Sequence, residues 1–255
     1  MAVDIAQTFA PLIGDGSFQL EHWDEDSTRF KPILYLHADT YNVDPLFSIP
    51  SSTWSDPVYV LSPAKRFAYC NRILPAGTPL LNREKPNQKG VVFWDGDITF
   101  PLLIDMRIDG HTGTRLPDHF SEKDRVRYGA VWMSVTPNEM LSQRSGIQRA
   151  SGRVLIGGLG LGWFLRKVCA KPMVEEVIII EKSRDMLDWY GYDLCRKQAK
   201  VSEVICDDVY NHIGRHGDAQ YLLDIWPIFE GARTDPRYLR AKRKWKRRLW
   251  AWGIN

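Results

Sequence analysis

Only four cysteines occur in 255 residues, at positions 70, 169, 195 and 206, and none belongs to a CxxC pair or a Cys/His cluster. That scarcity excludes a disulfide framework and a zinc site, so reduced, packed thiols and no metal are expected. Long apolar runs are missing too: eighteen apolar residues never stand together, which leaves no helix able to span a bilayer. The opening segment MAVDIAQTFAPLIGDG has neither a basic start nor a sustained apolar core, so a cytoplasmic location is expected by default. Acids are absent from one place in particular. RYLRAKRKWKRR (237–248) holds 8 of the 34 Lys and Arg residues and no Asp or Glu, leaving 26 basic against 31 acidic residues elsewhere. The chain therefore carries a basic appendage on a mildly acidic body.

What is present divides into three parts. Residues 1–134 read as a β-rich domain, with short runs at 32–38, 57–62, 90–96 and 98–108 bounded by Pro, Gly, Asn and Asp, as strands and turns require. The polar, proline-punctuated stretch 77–90 reads as an exposed loop. Residues 135–236 alternate strand and helix. RVLIG (153–157) precedes Leu161, Phe164, Leu165 and Val168 at helical spacing, and Pro172 closes that helix. Val177 to Ile180 are four β-branched residues in a row, the pattern of a strand covered on both faces. Ser183 can cap a helix that turns Met186, Leu187, Tyr190 and Leu194 inward. Further strands are expected at 201–206 and 220–225. The βαβαβ order predicts a doubly wound, Rossmann-like sheet, and residues 237–255 form a basic aromatic helix or tail.

Between the first strand and helix lie four glycines in six positions, Gly157, Gly158, Gly160 and Gly162. A glycine corner at a helix N-terminus lets backbone amides meet a ligand with no side chain in the way. The spacing is G-x-G-x-G rather than the dinucleotide G-x-G-x-x-G, and no Gly-Lys-Ser/Thr follows to make a P-loop. The remaining pattern is that of Rossmann-like enzymes using S-adenosyl-L-methionine. Acids at successive strand ends fit it. Glu181 can accept from both ribose hydroxyls, Asp207 (or its neighbour Asp208) from the adenine amino group, and Asp224 faces the crevice where the sulfonium carbon would lie. Asp224 is the candidate catalytic base or the anchor for a cationic amine, with Trp226 and Tyr210 as candidate walls.

Residues 107–187, with Asp109-Gly110, Glu139-Met140-Leu141, the glycine corner and Glu181, resemble the spermidine and polyamine synthase-like branch of the class I S-adenosylmethionine-dependent methyltransferase superfamily. The resemblance covers roughly residues 105–226. It implies a small β domain ahead of a methyltransferase-like sheet, an S-adenosylmethionine cofactor and a small-molecule or amine acceptor. It also implies an Asp inside the loop to hold the amine of an aminopropyl donor, where this chain has Leu159 and Leu161. Methyl transfer to an unnamed acceptor is therefore expected, with aminopropyl transfer and non-catalytic binding of the cofactor as alternatives.

Only about 30 residues follow Asp224. The sheet is thus expected to be shortened, or completed by the N-terminal region or by a second copy in a homo-oligomer. Glu139 reads as a helix-surface residue, and His212 and His216, four apart, as a surface helix rather than metal ligands. The tail interleaves Arg and Lys with Trp245, Leu249, Trp250 and Trp252. It is expected to dock its aromatic face on the body; contact with nucleic acid, an anionic membrane surface or a protein partner are the other readings.

Overall fold

A computed structural model describes residues 20–26, 31–36, 41, 43–77, 91–94, 96–226 and 231–254. The expected loop at 77–90 lies, apart from Gly77, outside the described residues. The N-terminal half is built from β1 (Leu20–Asp26), β2 (Lys31–Leu36), β3 (Ser51–Ser52), β4 (Val60–Leu61), β5 (Phe67–Leu74), β6 (Val91–Trp94) and β7 (Ile98–Asp109), followed by α1 (Glu122–Tyr128) and β8 (Gly129–Ser134). These form two sheets, β1-β2-β6 and β3-β5-β7-β8, with β4 pairing on β5. Ser121 begins α1 with a capping box: its hydroxyl accepts from the Asp124 amide while the Asp124 carboxylate accepts from the Ser121 amide.

The C-terminal half runs α2 (Pro137–Arg149), β9 (Gly152–Gly157), α3 (Trp163–Cys169), β10 (Val174–Ile180), α4 (Arg184–Met186), α5 (Tyr192–Arg196), β11 (Val201–Ile205), β12 (Gln220–Leu223), α6 (Pro236–Trp245) and β13 (Leu249–Ala251). Its five strands are parallel in the order β11-β10-β9-β12-β13. This is a mixed α/β, Rossmann-like arrangement, with the strand order reversing direction between β9 and β12. Period-two alternation decides what each face buries. Val154, Ile156, Val177, Ile179, Leu222 and Trp250 face one cluster with α2, α3 and α5, whereas Leu155, Ile178, Ile180, Tyr221, Leu223 and Leu249 face the other with α6.

The first cluster also takes in Phe67, Tyr69, Ile98 and Leu103 of β5 and β7, so the N-terminal sheet and the parallel sheet share one core. Side chains tie the halves together as well. Asp185 accepts from the Ser62 hydroxyl at 2.5 Å and the Ala64 amide at 2.9 Å, and Phe47 stacks on Trp189 at 5.0 Å. The opposite face of the N-terminal sheet, with Ala68, Cys70, Leu102 and Ile104, is covered by Val126 of α1.

Two features depart from the expected pattern. The helix after Ser183 is not continuous, because a π-helical turn at Leu187–Gly191 separates α4 from α5. The tail is not all helix and the sheet is not left at four strands: α6 stops at Trp245, and Leu249–Ala251 pair with Tyr221–Leu223 as a fifth strand. Alternation explains this change. Leu249 and Trp250 are both buried, yet they point to opposite faces of the sheet, which one helix face cannot arrange. Trp250 stacks on Phe164 at 5.6 Å and its indole N–H donates to Ser145 Oγ at 2.9 Å. Trp250→Ala is expected to destabilise the protein by about 3–5 kcal/mol, as large-to-small substitutions in packed cores do, measurable as a shift in urea midpoint. A loss below about 0.5 kcal/mol, the range of substitutions that touch nothing, would contradict the fifth strand.

Candidate functional site

The loop after β9 makes a corner whose backbone demands glycine. Gly158, Gly160 and Gly162 have φ of 90°, 52° and 77°, a region that side-chain-bearing residues avoid. The space around them is also taken. A Cβ on Gly158 would run into the Asp224 carbonyl, one on Gly160 into the Met133 sulfur and one on Gly162 into Leu194. Gly162 is the left-handed N-cap residue of α3, and Gly157 ends β9 beneath Val209 and Leu223.

Three side chains, those of buried Glu181 and Tyr190 and of partly buried Met133, hold the corner. The Glu181 carboxylate, at the end of β10, accepts from the Leu159 amide at 2.9 Å with one oxygen and from the Ser183 amide at 2.7 Å with the other. The Tyr190 hydroxyl donates to the Gly160 carbonyl at 2.7 Å, and the Leu161 amide points at the Met133 sulfur at 3.1 Å. Tyr190 reaches the loop from the π-helical turn, a local form that often accompanies function. Burial raises the Glu181 carboxyl above its usual range, and the amide donors oppose that shift.

A cavity of about 530 Å³ opens against this corner, within the size range of small-ligand sites. Gly158, Gly160, Glu181, Asp207, Asp224 and Trp226 all line it, whereas Gly157, Gly162 and Tyr210 do not. Gly162 borders a smaller adjoining space. The Tyr210 hydroxyl donates instead to Asp235 at 2.9 Å. The N-terminal sheet supplies the facing wall through Arg66, Phe67, Trp132 and Met133. Arg66 donates to the buried Asp105 at 3.1 Å and lies over the Phe67 ring at 4.4 Å.

The acids differ in state. Asp207 accepts from His212 Nε2 at 2.9 Å, Asn211 Nδ2 at 3.0 Å and the Asp208 amide at 2.7 Å; these donors, His212 first, hold it below the usual carboxylate range. Asp208 caps the short turn after it, accepting from the Tyr210 amide at 3.1 Å, and pairs with Lys182 at 3.2 Å and Arg237 at 3.0 Å. Asp224 is partly buried, accepts from Gln143 Nε2 at 2.6 Å, and desolvation raises its carboxyl to about 7.

Glu139 was expected on a helix surface; it is instead a partly buried residue of α2 that lines the cavity. Its carboxyl accepts from the Ser134 hydroxyl at 2.5 Å and the Ser134 amide at 3.1 Å. Burial, with Asp224 nearby, raises it to about 8. His212 departs from expectation too, being buried in the turns after Val209–Asn211 rather than on a surface helix. Gln143 and Tyr190 gave no functional signal in the sequence, since a polar residue in a helix and an inward tyrosine are both ordinary.

No protein-family model matches the chain, and no curated protein sequence does. Among solved structures, the Δ1-pyrroline-2-carboxylate reductase of Thermococcus litoralis, in complex with NADH and L-proline, is similar over 86% of this chain and 55% of that one, at 13% identity and a TM-score of 0.28. The chain thus spans about half the length of that reductase, and a likeness this slight identifies no activity. Among the described residues, no helix is long and apolar enough to cross a membrane.

These desolvated acids make stability depend on pH. The folded protein keeps protons on Glu139 up to about 8, from an ordinary 4.5, and on Asp224 up to about 7, from an ordinary 3.8. The unfolded chain releases both near the ordinary values, so the contribution of these two groups to stability is full below those values and is lost as pH rises towards 7–8. Glu139→Gln is expected to flatten that fall and to melt higher than the parent near pH 8. Thermal melts showing no decline for the parent over this range, or a lower melt for the variant at its upper end, would contradict the desolvated, protonated state.

Proposed function

We propose that the cavity binds S-adenosyl-L-methionine and that the protein is an S-adenosylmethionine-dependent transferase, a methyltransferase of the class I type. The observation that carries this reading is convergence: the glycine corner and the acids ending β10, β11 and β12 all line one cavity at the point where strand order reverses. Its volume of about 530 Å³ and its carboxyl groups suit a nucleoside carrying a sulfonium charge. In this reading Glu181 holds the ribose hydroxyls, Asp207 the adenine edge, and the backbone at Gly158 and Gly160 lies under the amino-acid part. Bound there, the cofactor would supply a carbon already activated for displacement.

The chain's own residues would orient and deprotonate. Asp224, with a carboxyl near 7, is poised to take a proton from an acceptor nitrogen or oxygen at neutral pH, and Gln143 fixes its orientation. Glu139 beside it supplies a second carboxyl, and Trp132, Trp226 and Trp252 line the same space. The aromatic faces and the Asp224 carboxylate favour a cationic or protic amine as acceptor, since both attract an ammonium group, while Glu139, protonated at neutral pH, can donate a hydrogen bond. The N-terminal sheet forms the wall of the cavity that faces the glycine corner.

Calorimetry tests the reading. S-adenosylmethionine is expected to bind, and Glu181→Gln to weaken binding about 10- to 100-fold, since a hydrogen bond to a charged group contributes about 1.5–3 kcal/mol. Tighter binding of decarboxylated S-adenosylmethionine would turn the reading to aminopropyl transfer. Failure of the parent protein to bind either compound would end it.

A further inference from the structure

We infer that the outer face of α6, with the turn that follows it, is a docking surface for the phosphate backbone of a double-stranded nucleic acid. This goes beyond the proposed transferase and stands without it. Asp235 caps the helix by accepting from the Arg237 amide at 2.8 Å. Tyr238, Ala241 and Trp245 then face the parallel sheet, with Trp245 edge-on to Tyr221 at 5.8 Å. At about 100° per residue, Arg240 and Arg243 fall on the opposite side and Lys244 on the flank. All three are exposed, and so are Arg247 and Arg248 in the following turn. Arg149 at the end of α2 adjoins them, donating to the Arg247 carbonyl at 3.2 Å.

Density of unpaired charge marks this ridge. Arg153 is held by Glu176 and Asp218, and Arg237 by Asp208 and Asp235. Among the described residues, none of Arg240, Arg243, Lys244, Arg247 and Arg248 has a carboxylate within ion-pair distance. Like charges three and four positions apart on a helix repel, and the helix dipole offsets this only near the last turn. A backbone bearing one negative charge per about 1.7 Å of duplex axis supplies the missing counter-charge.

Geometry selects the kind of polyanion. A membrane-surface helix needs an apolar face to insert, but that face of α6 is already packed on the sheet, and Leu239 is its one exposed large apolar residue among those described. Single strands are gripped by stacking on exposed aromatic rings, whereas Trp250 is buried and Trp245 is packed against Tyr221 and Gly214. What remains outward is charge on a rigid element, which reads phosphate and not sequence.

Fluorescence anisotropy with a labelled DNA duplex, titrated between about 50 and 200 mM salt, tests this. The parent is expected to bind without sequence preference and to weaken steeply with salt. A variant with Arg240, Arg243, Lys244 and Arg247 all changed to Ala is expected to lose about 100-fold in affinity and about 3–4 from the log–log salt slope. Changing the three arginines to Lys instead should keep the slope, which separates charge from folding. The inference is overturned if the parent fails to bind duplex at low salt, if the Ala variant keeps its slope, or if phosphatidylserine vesicles bind more tightly than the duplex.

Discussion

The bond from the Leu159 amide to the Glu181 carboxylate fastens the glycine corner to the end of the neighbouring strand. Much of the site depends on it. A corner with three residues at positive φ has no repeating ladder to hold its shape, so its amides must find acceptors elsewhere. Glu181 supplies one acceptor, Tyr190 fixes a carbonyl of the same loop, and the chain is left open on the cavity side. Removing water from Glu181 is costly, and its amide donors, with the charge of Arg66, make the buried carboxyl tolerable.

This arrangement also explains why the two halves share a core. Met133, at the end of the N-terminal sheet, is the neighbour that occupies the space beside Gly160. Phe67 and Trp132 of that sheet wall the cavity whose floor is the glycine corner. The β-rich half is therefore part of the site's architecture and not an appendage to it. On the far side, β13 extends the parallel sheet beyond β12, so the strand that presents Asp224 is flanked on both edges.

Much of the C-terminal half was legible in the sequence because local signals agreed with tertiary ones. The β-branched run at Val177–Ile180 became a doubly covered strand, and Ser183 does accept from the Met186 amide. The glycine spacing located the corner. What stayed hidden depended on long-range packing. β5 was not anticipated because Asn71 and Arg72 interrupt its apolar run, although both are buried. Glu139 looked like an ordinary charge on a helix, since nothing local reveals that Ser134 and Asp224 will enclose it. Trp250 read as helical because aromatic spacing in a short basic tail does not distinguish a helix face from a three-residue strand.

The central claim is that the corner held by Glu181 is a nucleoside site. A crystal structure of the protein grown with S-adenosylhomocysteine tests it most directly. The account predicts both ribose hydroxyls within hydrogen-bond distance of the Glu181 carboxylate and the adenine edge at Asp207. Density for the compound elsewhere on the protein, or a corner without it at saturating concentration, would contradict the account.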